Sequence, residues 1–292
     1  MYYKGALIGR IANRAKRVVL RFPGVRAFDG FSYLRALEAH SANLPRLNPQ
    51  HLSTLEALRL IGALCIQAEL LALTESAAMF TAFAQLVEEL RAVDPRTDNS
   101  PRVSFSRLMD FPEIFLWGMN TTLLDLVENY VQLPVYYHGV SVRREVADGR
   151  ATDVRQWHID PEDRRMCRII IYLNDVNAGG GPFQFIERRH TIEAAKRLGY
   201  QSGFVADDRM ATCVPRSDWR EMTGPKGHAV IADTCRIFHR AQAPLLRDRY
   251  SATFSYTSTR PIKWYPRDVL PASTRAYLQR HASERQLAAL VG

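Results

Sequence analysis

Residues 227 to 256 read GHAVIADTCRIFHRAQAPLLRDRYSATFSY. Three runs within them, GHAVIAD, RIFHRAQ and RYSATFSY, are short, rich in β-branched and aromatic residues, and separated by turn residues, which is the make-up of β-strands. The same texture begins near residue 132 and recurs in LPVYYHGVSVRREV, VRQWHID, RMCRIIIYLN and PFQFIER. Seven or eight short strands with no long helices between them predict a double-sheet barrel or sandwich, of which the jelly roll is one solution. A short helix, HTIEAAKRLGY, interrupts the strands, and PASTRAYLQRHASERQLAALV closes the chain as another.

Upstream the character is different. Residues 52 to 93 are rich in Ala, Leu and Glu with apolar residues at helical spacing, and DPRTDNSPR at 94 to 102 ends the run. Its most apolar part, LIGALCIQAELLAL from Leu60 to Leu73, is interrupted by Gln67 and Glu69 and is short of the ~20 apolar residues that a membrane span needs. It reads as a buried helix. The predicted class is therefore α+β: a helical N-terminal region over 1–131 packed on a jelly-roll, cupin-like core (double-stranded β-helix) over 132–260, with a helical extension over 261–292. No internal repeat or low-complexity segment is visible.

The chain has 292 residues, 47% hydrophobic and 24% charged, an ordinary globular balance with room for a sizeable core. Cys65, Cys167, Cys213 and Cys235 are scattered without a C-x-x-C pair, so a reducing, cytoplasmic setting is the expectation. The net charge is +9, and residues 1 to 28 hold Lys4, Arg10, Arg14, Lys16, Arg17, Arg21 and Arg26 with no acid. Apolar residues at every third or fourth position make this stretch a basic amphipathic helix in outline. A docked helix with a solvated basic face is the preferred reading. Contact with an anionic membrane surface, a transit peptide or a phosphate-bearing substrate are the others, the transit peptide weakened by the absence of serine. Basic residues are not interleaved with aromatics elsewhere, which argues against a nucleic-acid groove.

The strands carry a set of polar residues with one chemistry. In QWHIDPEDRR, at 156 to 165, His158 and Asp160 are two apart and point to the same face of an extended segment, and Pro161 biases Asp160 toward that geometry. A second histidine, His239, lies on a later strand that a jelly roll folds beside the first. Two histidines and a carboxylate bound to one face of an octahedral ion leave three neighbouring positions open, the arrangement of non-haem Fe(II) oxygenases. Arg249 follows ten residues after His239, where a fixed cation can pair bidentately with a carboxylate, and it shares strand parity with Ser251 and Thr253. Arg247, still in the PLLRD turn, is its rival. Zinc also accepts two histidines and a carboxylate but leaves Arg249 unexplained. His138 and His228 read as ordinary polar strand residues, His190 as a structural histidine, and His40, His51 and His281 as residues of helices or loops.

Taken together, QWHIDPEDRR, RIIIYLND, NAGGGPFQFIERRHT and the 227–256 stretch resemble the phytanoyl-CoA dioxygenase-like branch of the Fe(II)- and 2-oxoglutarate-dependent oxygenases, over roughly residues 132 to 260. The resemblance implies that His158, Asp160 and His239 hold Fe(II), that Arg249 grips the distal carboxylate of 2-oxoglutarate, and that Ser251, in the R-x-S arrangement, assists it. It places Tyr172 beside the cosubstrate and Gln156 facing the same way as His158. Ala241 departs from relatives that carry a hydroxyl residue there. The implied activity is hydroxylation or a related oxidation, such as desaturation, of a small-molecule or lipid-like metabolite, free or tethered to a carrier, with dioxygen consumed and succinate and carbon dioxide released. Asp160 stands where halogenating relatives have a small residue. The other function classes are a nucleic-acid or protein demethylase of the same superfamily, a cupin-type metalloenzyme that does not use 2-oxoglutarate, and a non-catalytic binding module.

Overall fold

The computed structural model describes residues 22–71, 76–263 and 270–291. The basic stretch read as an amphipathic helix falls almost wholly in residues 1–21, outside the described residues; a helix, Pro23–Ser41, starts just after it.

Eight strands follow in the described residues: β1 (Ala63–Gln67), β2 (Val135–Glu145), β3 (Met166–Tyr172), β4 (Phe183–Ile186), β5 (Trp219–Met222), β6 (His228–Ala232), β7 (His239–Ala241) and β8 (Arg249–Ser258). They form two antiparallel sheets, one of order β1-β6-β3-β8-β2 and a smaller one of order β5-β4-β7. Neither sheet closes into a barrel. The helices lie before, between and after the strands, so the fold class is the mixed helix-and-sheet arrangement read from the sequence.

Side-chain alternation decides what each face of the larger sheet touches. Cys167, Ile169 and Ile171 of β3, with Ala252, Phe254 and Tyr256 of β8, pack outward against the helices Ser76–Arg91, Pro112–Gly118 and Thr121–Val131 in one large core. Phe254 meets Trp117 with ring centroids 4.7 Å apart, and Tyr256 donates to the Gly118 carbonyl at 2.7 Å. Each such buried side chain is worth about 1.5–3 kcal/mol. The opposite face of β3, with Ile170 and Tyr172, meets Phe183 and Phe185 of the smaller sheet in a second core. A third core lies around Trp157, Ile186 and Phe238, under the helix Arg188–Leu198. The inward row of β8 is different in kind: Arg249, Ser251, Thr253, Ser255 and Thr257. That polar row is the floor on which the site is built.

Two expectations are corrected here. Leu60–Leu73 is not a helix. The helix Pro49–Leu60 is capped by Asn48, which accepts from the His51 amide at 2.7 Å, and it stops before Gly62, whose φ is +101°. Ala63–Gln67 then runs as an edge strand paired to β6, from Ala63↔Ala232 to Gln67↔His228, and a 3₁₀ turn, Ala68–Leu71, follows. Apolar packing on both faces makes such a strand look like a buried helix in sequence. VRQWHID, read as a strand, is instead a 3₁₀ turn, Asp153–Arg155, followed by two isolated bridges, Trp157↔Val205 and His158↔His239. Strand β5 was not foreseen, because its WREM sequence shows no apolar alternation to an observer of the chain alone.

Gly62 carries a testable consequence. A Cβ at this position would sit 2.3 Å from Ile237 Cγ2, in addition to the positive φ. Gly62→Ala should cost about 2–4 kcal/mol by urea denaturation, from the left-handed backbone and the overpacked contact together. A loss under about 0.5 kcal/mol would show that the helix-to-strand junction does not need glycine.

Candidate metal centre and cosubstrate pocket

His158 and His239 are brought together by backbone pairing. Each donates its amide to the other's carbonyl at 3.0 Å, which sets their side chains on one side, and the ring centroids lie 4.3 Å apart. The Asp160 amide donates to Thr234 O at 2.9 Å and fixes the third residue. The nitrogen or oxygen atoms of His158, Asp160 and His239 that could bind a metal all fall within 4.8 Å of one another.

Their orientation follows from the carbonyls around them. His158 Nδ1 is 2.9 Å from Gln156 O, and His239 Nδ1 is 3.3 Å from Ile237 O. A carbonyl only accepts, so Nδ1 is the protonated nitrogen in both rings and Nε2 is left as a lone pair. Those Nε2 atoms face Asp160, at 3.5 Å from Oδ1 for His158 and 3.8 Å from Oδ2 for His239. Burial pushes the His239 imidazole down to about 3, with His158 adding to the effect and Asp160 opposing it, so this ring is neutral at pH 7. Burial works against the Asp160 carboxylate, but Arg168 beside it, then the two histidines and a Thr234 hydrogen bond, outweigh that and hold it well below the usual carboxylate range. Acceptor atoms thus converge with no proton to share among the three residues. Such a cluster fits a cation, and two imidazoles with one carboxylate fit a divalent transition metal.

Arg168 was missed in the sequence. It projects from the inner face of β3, and its Nη2 lies 2.8 Å from Asp160 Oδ2. Its parity with Tyr172 was readable; its closeness to Asp160 is a product of the fold. The other surroundings are aromatic. Phe183 stacks on His239 at 5.6 Å, and Phe204 meets His158 edge-on at 5.4 Å. Tyr200 supports both neighbours: its hydroxyl accepts from the Ile159 amide at 3.1 Å and donates to Gly203 O at 2.8 Å. His138, read as an ordinary polar residue, also lies on the inner side, 2.8 Å from Thr257 Oγ1, and burial and then Arg168 push it down to about 4.

Arg249 opens the inward row of β8 and is only 5% exposed. Its Nη1 donates to the carbonyl of Gly181. Gly181 has φ +70°, and a Cβ there would be 2.5 Å from Gln242 O, so the glycine run lets this hairpin close over the arginine. The nearest acids are committed elsewhere. Glu145, the cross-strand neighbour, pairs with Arg143 and Arg155, both at 2.9 Å, and Asp248 pairs with Arg144 at 2.7 Å. Among the described residues no carboxylate lies within 4 Å of the Arg249 guanidinium, and burial lowers its pKa. A buried cation without an anion is costly, so the position is built for one that arrives with a ligand. Arg247 is exposed and cannot compete for that role.

The remaining sequence candidates fall around this pair of features. Ser251 is buried next on the inward row, cross-strand from Tyr172. Tyr172 is buried near Arg249, but its hydroxyl is taken by the backbone: it donates to Met222 O at 2.5 Å and accepts from the Phe183 amide at 3.1 Å. Its ring therefore forms a wall and its hydroxyl is not available. Gln156 reaches the site through its carbonyl, the acceptor for His158 Nδ1.

No family model and no curated protein matches the sequence. Solved structures do match in shape. HygX from Streptomyces hygroscopicus, with nickel, 2-oxoglutarate and hygromycin B bound, superposes with a TM-score of 0.50 at 17% identity, over 78% of this chain and 94% of that one. ThoJ, a non-heme monooxygenase, gives 0.49 at 13% identity over 80% and 96%. EctD from S. alaskensis, with 2-oxoglutarate and 5-hydroxyectoine, gives 0.47 at 17% over 70% and 75%. At these identities the likeness is one of fold, and it shows the two-sheet jelly-roll core.

Proposed function

We propose that this protein is an Fe(II)- and 2-oxoglutarate-dependent oxygenase, of the phytanoyl-CoA dioxygenase-like kind, that hydroxylates or otherwise oxidises a small molecule. One observation carries the reading: a buried arginine with no carboxylate partner opens the same inward surface that holds the His158, Asp160 and His239 acceptors. A metal site alone would fit hydrolases or isomerases; the waiting cation asks for an anionic cosubstrate as well. The fold shared with HygX, seen with nickel and 2-oxoglutarate, supports it.

On this reading His158, Asp160 and His239 hold the iron through Nε2, a carboxylate oxygen and Nε2. Bound there, iron supplies dioxygen activation and the oxidative decarboxylation of 2-oxoglutarate to succinate and carbon dioxide. Arg249 binds the distal carboxylate of the cosubstrate, with the Gly181 carbonyl fixing the guanidinium plane and Ser251 adding a hydroxyl. Tyr172 and Phe183 exclude water from that side. Arg168 holds one oxygen of Asp160 and so orients the carboxylate. The purified protein, given iron, ascorbate and 2-oxoglutarate in air, should release succinate; failure to consume 2-oxoglutarate under any condition would count against the reading.

Asp160 also bears on the outcome of the reaction. A carboxylate ligand leaves no position for a halide once cosubstrate and dioxygen are accommodated. Mass spectrometry of products made with and without high chloride should show the same oxidised compound. A chlorinated product from the unaltered protein would mean that Asp160 is not a ligand.

Among the described residues no helix is long and apolar enough to cross a membrane. All four cysteines are free, in line with the absence of a disulfide framework.

A further inference from the structure

The inward row of β8 is closed at both ends and open in the middle. Arg249, Ser251 and Thr257 are buried, whereas Thr253 and Ser255 are partly exposed. Neither of these two hydroxyls makes a hydrogen bond among the described residues, and the same holds for Ser141, which lies cross-strand from Thr253. On the other side of β8, Arg168 is the cross-strand neighbour of Ser255, and it is Arg168 that reaches Asp160. The open part of the row therefore borders the metal ligands.

The opposite character appears at His158. Phe204 is 48% exposed yet sits edge-on against this ring at 5.4 Å. Its position is built: Gly203, with φ +95°, turns the chain, and its carbonyl is held by Tyr200, whose hydroxyl also holds the Ile159 amide between the two ligands His158 and Asp160. An exposed aromatic fixed to a ligand loop offers an apolar surface beside the reacting position.

We propose that the substrate is a polyhydroxylated ring of the sugar or cyclitol type, with its C–H face on Phe204 and its hydroxyls bonded to Thr253, Ser255 and the Arg168 guanidinium. The inference rests on the oxygenase reading above. Such a ring has both surfaces that this site presents, a C–H face and an edge of donors and acceptors. An acyl chain would satisfy Phe204 but leave two hydroxyls and a guanidinium desolvated against methylene groups, and a site lined for hydroxyls rejects ligands that lack them. Lipid-like metabolites are thereby disfavoured as substrates.

The test uses the iron-loaded protein with 2-oxoglutarate and two sets of probes: methyl glucosides, myo-inositol and glucosamine in one, hexanoate, octanoate and octanoyl-CoA in the other. Stimulated succinate release is measured in air, and binding is measured anaerobically by saturation-transfer NMR. At least one hydroxylated ring should bind and stimulate release, and Thr253→Val and Ser255→Ala should each raise its KM about ten-fold, the loss of roughly one hydrogen bond, with thermal midpoints unchanged. Phe204→Leu should weaken binding of the same ring. Stimulation by acyl compounds alone, binding of no hydroxylated ring, or KM values untouched by both hydroxyl deletions would overturn the inference. These failures differ from failure of the oxygenase reading, in which 2-oxoglutarate is neither bound nor consumed whatever the probe.

Discussion

His239→Ala should abolish tight iron binding and cut succinate release by more than about a hundred-fold, because it removes one of only three protein donors around the metal. The substitution should leave a cooperatively folded protein. The backbone bridge between His158 and His239 does not need the imidazole, and what is lost in packing is chiefly the stacked contact with Phe183. His158→Ala should behave alike, losing its edge-on contact with Phe204. Iron content per chain and 2-oxoglutarate turnover are the two readouts. Full iron occupancy and full turnover in both variants would remove the triad from the account.

Arg249→Met separates binding from stability. A bidentate, charge-assisted contact is worth about 1.5–3 kcal/mol, so 2-oxoglutarate binding should weaken by roughly ten-fold to a hundred-fold or more. Stability of the protein without cosubstrate should move in the opposite direction or not at all, since the substitution removes a buried guanidinium that no carboxylate neutralises. The rise in melting temperature that 2-oxoglutarate gives the unaltered protein should disappear. Arg247→Ala, at an exposed turn position, should change neither quantity. If Arg247→Ala weakens the cosubstrate and Arg249→Met does not, the wrong arginine has been assigned.

How much of this was legible in the chain depends on whether the signal was local. Period-two alternation made β8 readable, and with it the shared parity of Arg249, Ser251 and Thr253. The H-x-D pair and the distal histidine were readable as residue types, although the segment before His158 is a 3₁₀ turn and a bridge rather than a strand. Strand β1 was hidden because Ala63–Gln67 is covered on both faces and carries no alternation; only Gly62, with its positive φ, marks the break. The inward position of His138 was hidden by an irregularity in β2 between Tyr137 and Val140, where Gly139 has φ +89° and the register to β8 shifts, so simple counting along the strand fails there. Arg168 and Phe204 could not be found from spacing at all. Arg168 meets Asp160 across an eight-residue separation through the turn after Pro161, and Phe204 reaches His158 only because Tyr200 ties the two loops together.

The basic character of the chain has a partial explanation in the fold. Arg143, Arg155, Arg168 and Arg249 lie inside or at the edge of the site, three of them paired with Glu145 or Asp160. That concentration of cations serves an anionic cosubstrate and needs no nucleic-acid partner. The seven basic residues of 1–28 remain a separate matter.

The central claim is that one site binds iron and 2-oxoglutarate together, and anaerobic absorption spectroscopy tests it most directly. Fe(II) and 2-oxoglutarate are added to the protein in either order without oxygen. The account predicts a visible charge-transfer band that requires both components, saturates at one iron per chain, is absent from His239→Ala, and needs markedly more 2-oxoglutarate in Arg249→Met. Iron that binds the protein without any spectral response to 2-oxoglutarate, or a band that persists in His239→Ala, would contradict it.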